Sequence, residues 1–406
     1  MSDSFNITDM SALFKDTYGP LSENVYNSAN VVLGRVKKTY TFTGKQKLIA
    51  IPQSFQGGVS SGSLPDTNHA LASDAVIVSK KVYAKVEIDR ESLKASSDDK
   101  GAWVKGMKWV VQKGVESWNR NMSRILFNDL PNGAVAVGLG ATNVAGNGTT
   151  GTPYLVALAA DTKEADIEEQ DFWNYDAETT NLEVVAYNPA TRVVSLVGTS
   201  AGLATLTGSG PVPNNKYFYM QKSAANDPES LIGVISASSG SLYSVPVTRK
   251  WQGGRNADAA GAGITTDMLN EDILEIERKS GKTPEMIVTS YTQYRKILNQ
   301  LEDKKQYTID PRAKNLKGIV SFKGVEYMSS SGPIPIFPER FVRADTVTYL
   351  NSDSIEILHR PDFGWFDDDG TVFLRTSGDS YEARYGGYLQ VYMIPNFNGR
   401  RYGLAT

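Results

Sequence analysis

The sequence predicts an α+β protein, and three observations carry the prediction. A single amphipathic helical pattern runs over 96–128, stretches of period-two alternation lie before and after it, and the segment 264–301 reads helix, strand, helix. A length of 406 residues allows two to three domains of ordinary size. With 40% hydrophobic and 21% charged residues the chain can build a large core, which excludes wholesale disorder. Lysine and arginine number 42 against 45 acids, a net charge of -3, so no basic excess marks a dedicated nucleic-acid binder.

Taken in order, the first 45 residues are polar and sparsely apolar. Met10–Tyr18 reads as a short helix ended by Gly19-Pro20, and Leu21–Arg35 as a second, with Leu21, Val25, Val32 and Leu33 near one face. This segment has too little apolar mass to fold alone and is expected to lie across another surface. From Lys47 to Arg90 the pattern is strand, loop, strand. Leu48-Ile49-Ala50-Ile51 is closed by Pro52, a Gly/Ser-rich stretch follows, and Ala75–Ile88 then alternates through Val76, Val78, Val82, Ala84, Val86 and Ile88. A hairpin of this kind has no core of its own and is expected to rest on a neighbouring molecule or domain.

Ser96–Asn128 carries the strongest helical signal. Ser97, Asp98 and Asp99 supply cap oxygens and negative charge at the positive end of the helix dipole. Trp103, Met107, Val110, Val111, Val115, Trp118, Met122, Ile125 and Leu126 form one apolar stripe, giving a helix of about 28 residues and about 40 Å. Lys105, Lys108, Lys113, Arg120 and Arg124 occupy its other faces and read as solvated surface. Pro131–Pro153 reads as loop. Residues from about 165 to 222 read as β-structure, with a clear hairpin at Leu182–Tyr187 and Arg192–Val197 around an Asn-Pro-Ala-Thr turn and a further strand at Lys216–Gln221. Gly233–Ala237 and Ser241–Val247 read as strands, Thr265–Ser280 as a helix ended by Gly281, Met286–Thr289 as a buried strand, and Ser290–Gln300 as a helix capped by Ser290. Strands return at Gly324–Met328, Thr346–Leu350, Ser354–Leu358, Thr371–Arg375 and Tyr388–Ile394.

Chemistry-bearing motifs are few. Cysteine is absent, so thiolate nucleophiles, disulfides and Cys-containing zinc sites are excluded together. The two histidines, His69 and His359, stand in no catalytic motif. No phosphate-binding loop, nucleophile elbow or H-E-x-x-H motif occurs. Asp367-Asp368-Asp369-Gly370 lacks the spaced ligands of a calcium loop and reads as a tight acidic turn, although Asp367 with Glu382 would be the carboxylate pair of a carbohydrate-active enzyme. Trp251-Gln252-Gly253-Gly254-Arg255 reads as a mobile surface loop. The 20 Tyr, 14 Phe and 6 Trp read as core and interface packing, Trp103, Trp118, Tyr388 and Tyr392 among them. No catalytic residue, cofactor site or metal site is assigned. The N-terminus lacks a signal-peptide pattern and no apolar run reaches the ~18 residues that span a bilayer, so the expectation is a cytoplasmic chain without a membrane partner, in which the Asn-x-Thr triplets at Asn6 and Asn147 are chance.

The order of parts resembles the major capsid protein of tailed bacteriophages, the HK97-like fold. TYTFTGKQKLIAIPQSFQGGVSSGSLP (39–65) looks like that family's approach to its E-loop, DDKGAWVKGMKWVVQKGVESWNRNMSRILFND (98–129) like its spine helix, and ITTDMLNEDILEIERKSGKTPEMIVTSYTQYRKILNQL (264–301) like the helix–strand–helix of its A-domain. The resemblance covers nearly the whole chain. It implies an N-arm (1–45), an E-loop region (46–96), a spine helix with the start of the P-domain (97–134), an inserted β-rich domain (135–230), an A-domain (231–345) and closing P-domain strands (346–406). It further implies a non-enzymatic subunit that self-assembles, as hexamers and pentamers, into an icosahedral or prolate shell around phage double-stranded DNA. Its partners would be other copies, a portal, scaffolding or decoration proteins, and DNA through non-specific contact; its place would be the virion capsid, assembled in the host bacterial cytoplasm. Because the arm starts close to Met1, scaffolding would be a separate protein or absent. Some relatives cross-link an E-loop lysine; Lys80, Lys81 and Lys85 lie on the hairpin here, and no reactive pair stands out. The runner-up is another phage structural protein, of tail or decoration type.

Overall fold

The computed structural model describes residues 31–40, 46–54, 61–62, 71–91, 100–139, 144–160, 162–208, 210–213, 216–302, 325–329, 332–366, 374–375 and 378–406. The expected helix Met10–Tyr18, most of Leu21–Arg35, the hairpin tip with His69, the caps Ser97–Asp99 and the acidic run Asp367–Asp369 lie outside them.

A short helix α1 (Val31–Arg35) leads into β1 (Lys37–Tyr40). β2 (Gln46–Ser54) and β3 (Leu71–Val78) then form an antiparallel ribbon with Leu48 opposite Val76 and Ile49 opposite Ala75. After Ser79 alone, β4 (Lys80–Asp89) enters a different sheet. The alternation read as one strand over 75–88 is thus two strands, and its phase slips at the break. Val82, Ala84, Val86 and Ile88 are buried as expected, but Ala75 and Ile77 are the buried residues of β3 while Val78 is 44% exposed. One extra residue between strands is enough to exchange the two faces.

The long helix α2 (Lys100–Leu126) spans 27 residues, about 40 Å at 1.5 Å per residue. Trp118, Met122, Ile125 and Leu126 make its buried stripe, and Trp118 Nε1 donates to the Val82 carbonyl of β4 at 3.3 Å.

The next stretch builds a barrel from β5 (Ala134–Val137), β6 (Tyr154–Ala157), β7 (Phe172–Tyr175), β8 (Leu182–Asn188), β9 (Val193–Gly198) and, after a helical turn α3 (Ala201–Leu206), β10 (Tyr217–Met220). Neighbours run antiparallel in the order β5-β10-β7-β8-β9-β6. The two ends meet: Gly138 bridges Leu158, Leu139 N–H donates to Ala157 O at 2.9 Å, and Ala159 N–H donates to Val137 O at 2.9 Å. Closure removes free edges, the part of a sheet most prone to unwanted pairing. Trp173, Phe218, Leu182, Leu196 and Leu203 fill the interior. The expected β-rich stretch is therefore β, but the loop expected over Pro131–Pro153 contains β5, whose small residues Ala134-Val135-Ala136-Val137 are all buried.

Gly233–Ala237, expected as a strand, belongs instead to helix α4 (Leu231–Ser236). Ser230 caps it by accepting from Gly233 N–H, and Leu231, Ile232, Val234 and Ile235 are all buried, so no helical stripe of polar residues announces it. β11 (Ser241–Leu242) and β12 (Val245–Pro246) form a small hairpin. Then come β13 (Arg255–Asp258), α5 (Thr266–Ser280), β14 (Met286–Thr289), α6 (Tyr291–Glu302), β15 (Val325–Ser329), β16 (Gly332–Pro338) and β17 (Val347–Leu350). Thr265 accepts from Met268 N–H at the start of α5, and Gly281 ends it with φ +69°. The chain closes with β18 (Ile355–Trp365), β19 (Leu374–Arg375), β20 (Ser380–Met393) and β21 (Gly399–Tyr402).

These strands sort into two further sheets. A mixed six-stranded sheet runs β13-β21-β17-β14-β16-β15, with core residues from α5 and α6 packed among its own. A central sheet runs β1-β18-β20-β19, with β4 on the other side of β20. The close approach of β20 to β4 needs Gly386: its φ is +154°, and a Cβ there would sit 2.1 Å from Val82 O.

Candidate functional site

Each described residue singled out for chemistry is accounted for by its surroundings. His359 is buried in β18, between Tyr40 of β1 and Leu389 of β20. Glu382 lies in β20 and is held by Lys85 Nζ at 3.0 Å and Arg384 Nε at 2.9 Å. The hydrogen bond from Lys85 is the main reason its carboxyl titrates below the usual range. An acid so held is a poor proton donor, and its supposed partner Asp367 is outside the described residues. Among the described residues no group of three or more His, Cys, Asp or Glu side chains could hold a metal ion.

The segment Trp251–Arg255 is not the mobile loop expected. Trp251 is buried and donates from Nε1 to Leu242 O at 3.3 Å, Gly254 N–H donates to Asn398 O at 2.8 Å, and Arg255 Nε reaches Asp272 Oδ1 at 2.8 Å. Glycines that looked like flexibility permit close packing instead. Asn147 closes its own turn, with Oδ1 accepting from Thr149 N–H at 3.2 Å.

The three hairpin lysines also have partners. Lys80 Nζ donates to Ala225 O at 3.0 Å, Lys81 lies 6.0 Å from the Tyr388 ring centroid, and Lys85 bridges Glu87 and Glu382. Tyr83, Phe366 and Tyr388 meet edge-on or tilted, with centroids 5.6, 6.1 and 6.3 Å apart. They make an aromatic cluster on the side of β4 opposite its buried residues, and Tyr83 in it is 41% exposed. Burial pushes the Tyr83 hydroxyl up to about 12. The ribbon β2/β3 presents a second apolar surface. Ala75 and Ile77 pack inward with Leu242, Tyr243 and Val245, whereas Leu48 (55% exposed) and Val78 point outward beside Val76. Ribbon residues turned away from their own core are what a contact with another molecule would use.

Two buried charge networks, invisible in the sequence, fix the frame behind these surfaces. In the first, Asp272 of α5 is fully buried and accepts from Arg401 Nε at 2.7 Å, Arg401 Nη2 at 2.6 Å, Arg255 Nε at 2.8 Å and Tyr349 OH at 2.8 Å. The Asp272 hydrogen bonds raise Arg401, and burial, followed by the Asp272 charge, raises Tyr349. One carboxylate thereby joins α5 to β13, β17 and β21.

In the second, at the foot of the barrel, Lys163 Nζ donates to Phe127 O at 2.8 Å and lies 3.2 Å from Asp166 and 3.9 Å from Asp129, which Arg343 also meets at 3.1 Å. Burial pushes the Asp166 carboxyl up, against the pull of Lys163 and Arg124. A carboxyl raised in the folded state binds its proton more tightly there than in the unfolded chain. Its contribution to stability therefore falls as pH climbs from the ordinary carboxyl range through the raised value. Asp166→Asn should remove this titration and so flatten the stability difference between pH 8 and pH 5, while taking from buried Lys163 its nearer partner and so lowering stability at both pH values. Urea midpoints of the two proteins at both pH values check this; an unchanged difference between pH 5 and pH 8 in the variant would contradict it.

No protein-family model matches the sequence, and no curated protein matches it in sequence. In three dimensions the chain is similar to a chain of the capsid asymmetric unit of cyanophage A-1(L), with a TM-score of 0.57 at 12% identity, covering 99% of this chain and 100% of that one. Lower scores relate it to a chain of Mycobacterium phage Adephagia, at 0.45 and 10% identity over 98% of each chain. They also relate it to the SrpI encapsulin of Synechococcus elongatus, at 0.48 and 6% identity over 99% of this chain and 96% of that one. At such identity the likeness is one of fold: the α+β, HK97-like architecture read from the order of parts is the fold of this chain.

Proposed function

We propose that the chain is a major capsid protein, the repeating subunit of an icosahedral or prolate shell that encloses phage double-stranded DNA. The observation that carries this reading is end-to-end: the likeness in fold to the cyanophage capsid chain takes in 99% of this chain and 100% of that one. The two outward apolar surfaces support it, because a subunit that closes a lattice needs contacts beyond its own core. In this reading residues 1–45 are the arm, the β2/β3 ribbon is the E-loop, α2 is the spine helix, and the central sheet is the P-domain. The A-domain is 231–345, whose mixed sheet with α5 and α6 is completed by β17 and β21 from the segment 346–406 read as closing P-domain strands, and the barrel is an insertion. The chain has no catalytic task. It works in the virion capsid after assembly in the host cytoplasm, as hexamers and pentamers beside a portal and scaffolding or decoration proteins.

The test is electron microscopy with sedimentation of the protein expressed alone and together with its neighbouring reading frames. Closed shells, or rings of five and six subunits, are the expected result. A monomer under every condition would overturn the reading.

A further inference from the structure

The barrel is joined to the rest of the chain by two crossings that are tied to each other. At the first, Asn132 (φ +56°) and Gly133 (φ +80°) turn left-handed; at the second, Lys222 (φ +60°) and Ala225 (φ +57°) do so. Three of these four are not glycine, and such backbone is uncommon enough to point to a constrained turn. Ala225 N–H donates to Asn132 O at 3.0 Å, and a Cβ on Gly133 would meet Asp227 Oδ2 at 2.7 Å, so both crossings pass through one narrow neck. The barrel core is a cluster of its own, and Ala165 is its segment's one apolar contact with the main core among the described residues. Most of what else holds the barrel against α2 is charge. Near the neck, Arg124 Nη2 meets Asp227 at 3.5 Å and Lys163 meets Phe127 O. Farther up the helix, Arg120 pairs with Glu168 and, at 3.0 Å, with Asp171. Arg124 Nε and Nη1 are buried there without a hydrogen-bond acceptor, as expected of a junction that is not packed like a core. Beside the barrel a cleft of about 1000 Å³ opens toward the mixed sheet, with Tyr187 and Pro189 on one wall and Tyr291 and Arg340 on the other.

We infer that the barrel is a latched, hinged module: it turns as a rigid body about the neck 130–133/222–227, and the Arg120 ion pairs hold it in the position seen. Polar junctions between separate cores permit relative motion by default. The neck limits that motion to a swing, and the cleft gives it room. Arg120 lies one helical turn beyond Arg124, so its pairs act with a longer lever than those at the neck. This inference stands whether or not the chain forms shells.

The chain has no cysteine, so Pro189→Cys with Tyr291→Cys places two spin labels across the cleft of the full-length protein with no background labelling. Pulsed electron spin resonance on the labelled parent should give one narrow distance distribution. Adding Arg120→Gln should raise the population at longer distance ~fivefold, as loss of an interaction worth ~1 kcal/mol does. Arg295→Gln, on the exposed face of α6, should leave the distribution unchanged. If circular dichroism shows that Arg120→Gln disturbs folding, Glu168→Gln with Asp171→Asn opens the same latch from the barrel side. Narrow, parent-like distributions in the folded latch variants would overturn the inference, as would a parent distribution already as broad as theirs.

Discussion

Asp272→Ala is expected to destabilise the protein by about 3–5 kcal/mol, the cost of removing one partner from a buried charge set. The size follows from what is left behind. Arg401 has a side chain 7% exposed and Arg255 one 22% exposed, and both donate to Asp272. Without it they share only Glu271, which is 56% exposed and grips Arg401 at 2.7 Å and Arg255 at 2.7 Å from the solvent side. Tyr349, fully buried, loses the acceptor of its hydroxyl. Glu271→Ala makes the internal comparison. It removes contacts to the same two arginines but from an exposed position, where ion pairs contribute about 0–1 kcal/mol. Urea unfolding of both variants should show a large midpoint drop for Asp272→Ala and a small one for Glu271→Ala. Equal drops would mean that the network acts through its surface charge and not through burial.

That network also shows where sequence reading stops. Local periodicity was enough for α2, α5, β14 and the hairpin β8–β9, because each shows its burial pattern within a dozen residues. It failed where local text and environment part. β16 carries Pro333, Pro335 and Pro338, which hide it from a search for alternation, yet it pairs with β14 on one side and β15 on the other. α4 buries four of its six residues and carries no charged face, and so reads as a strand. The slip of phase between β3 and β4 cannot be seen until the two sheets are known. Asp272 and Arg401 stand far apart in the chain, and nothing near either one predicts the other. The candidate surfaces were legible in outline, as a hairpin without its own core. Which of its faces turns outward was not, since that depends on the break at Ser79.

Placing charge on the outward face, Leu48→Asp with Val78→Asp, should leave the subunit folded and prevent assembly. The two residues are on the exposed side of the ribbon, and the inward residues Ala75 and Ile77, at 0% exposure, keep their contacts. Val76 N–H still donates to Tyr243 O at 2.9 Å, so the ribbon stays anchored to its own subunit. Substitutions at such positions change subunit stability by roughly 0.5 kcal/mol or less. Assembly multiplies the effect, because every copy carries the change. A loss of ~2 kcal/mol per contact raises the concentration needed for assembly about 30-fold. Ile77→Asp, one residue away, should behave in the opposite way and unfold the subunit, since it places the same charge in the core. Thermal unfolding separates the two variants, and sedimentation with electron microscopy reads assembly. Normal shells from the outward double variant would show that this face takes no part in the contact, and the Tyr83–Phe366–Tyr388 cluster would then be the surface to alter next.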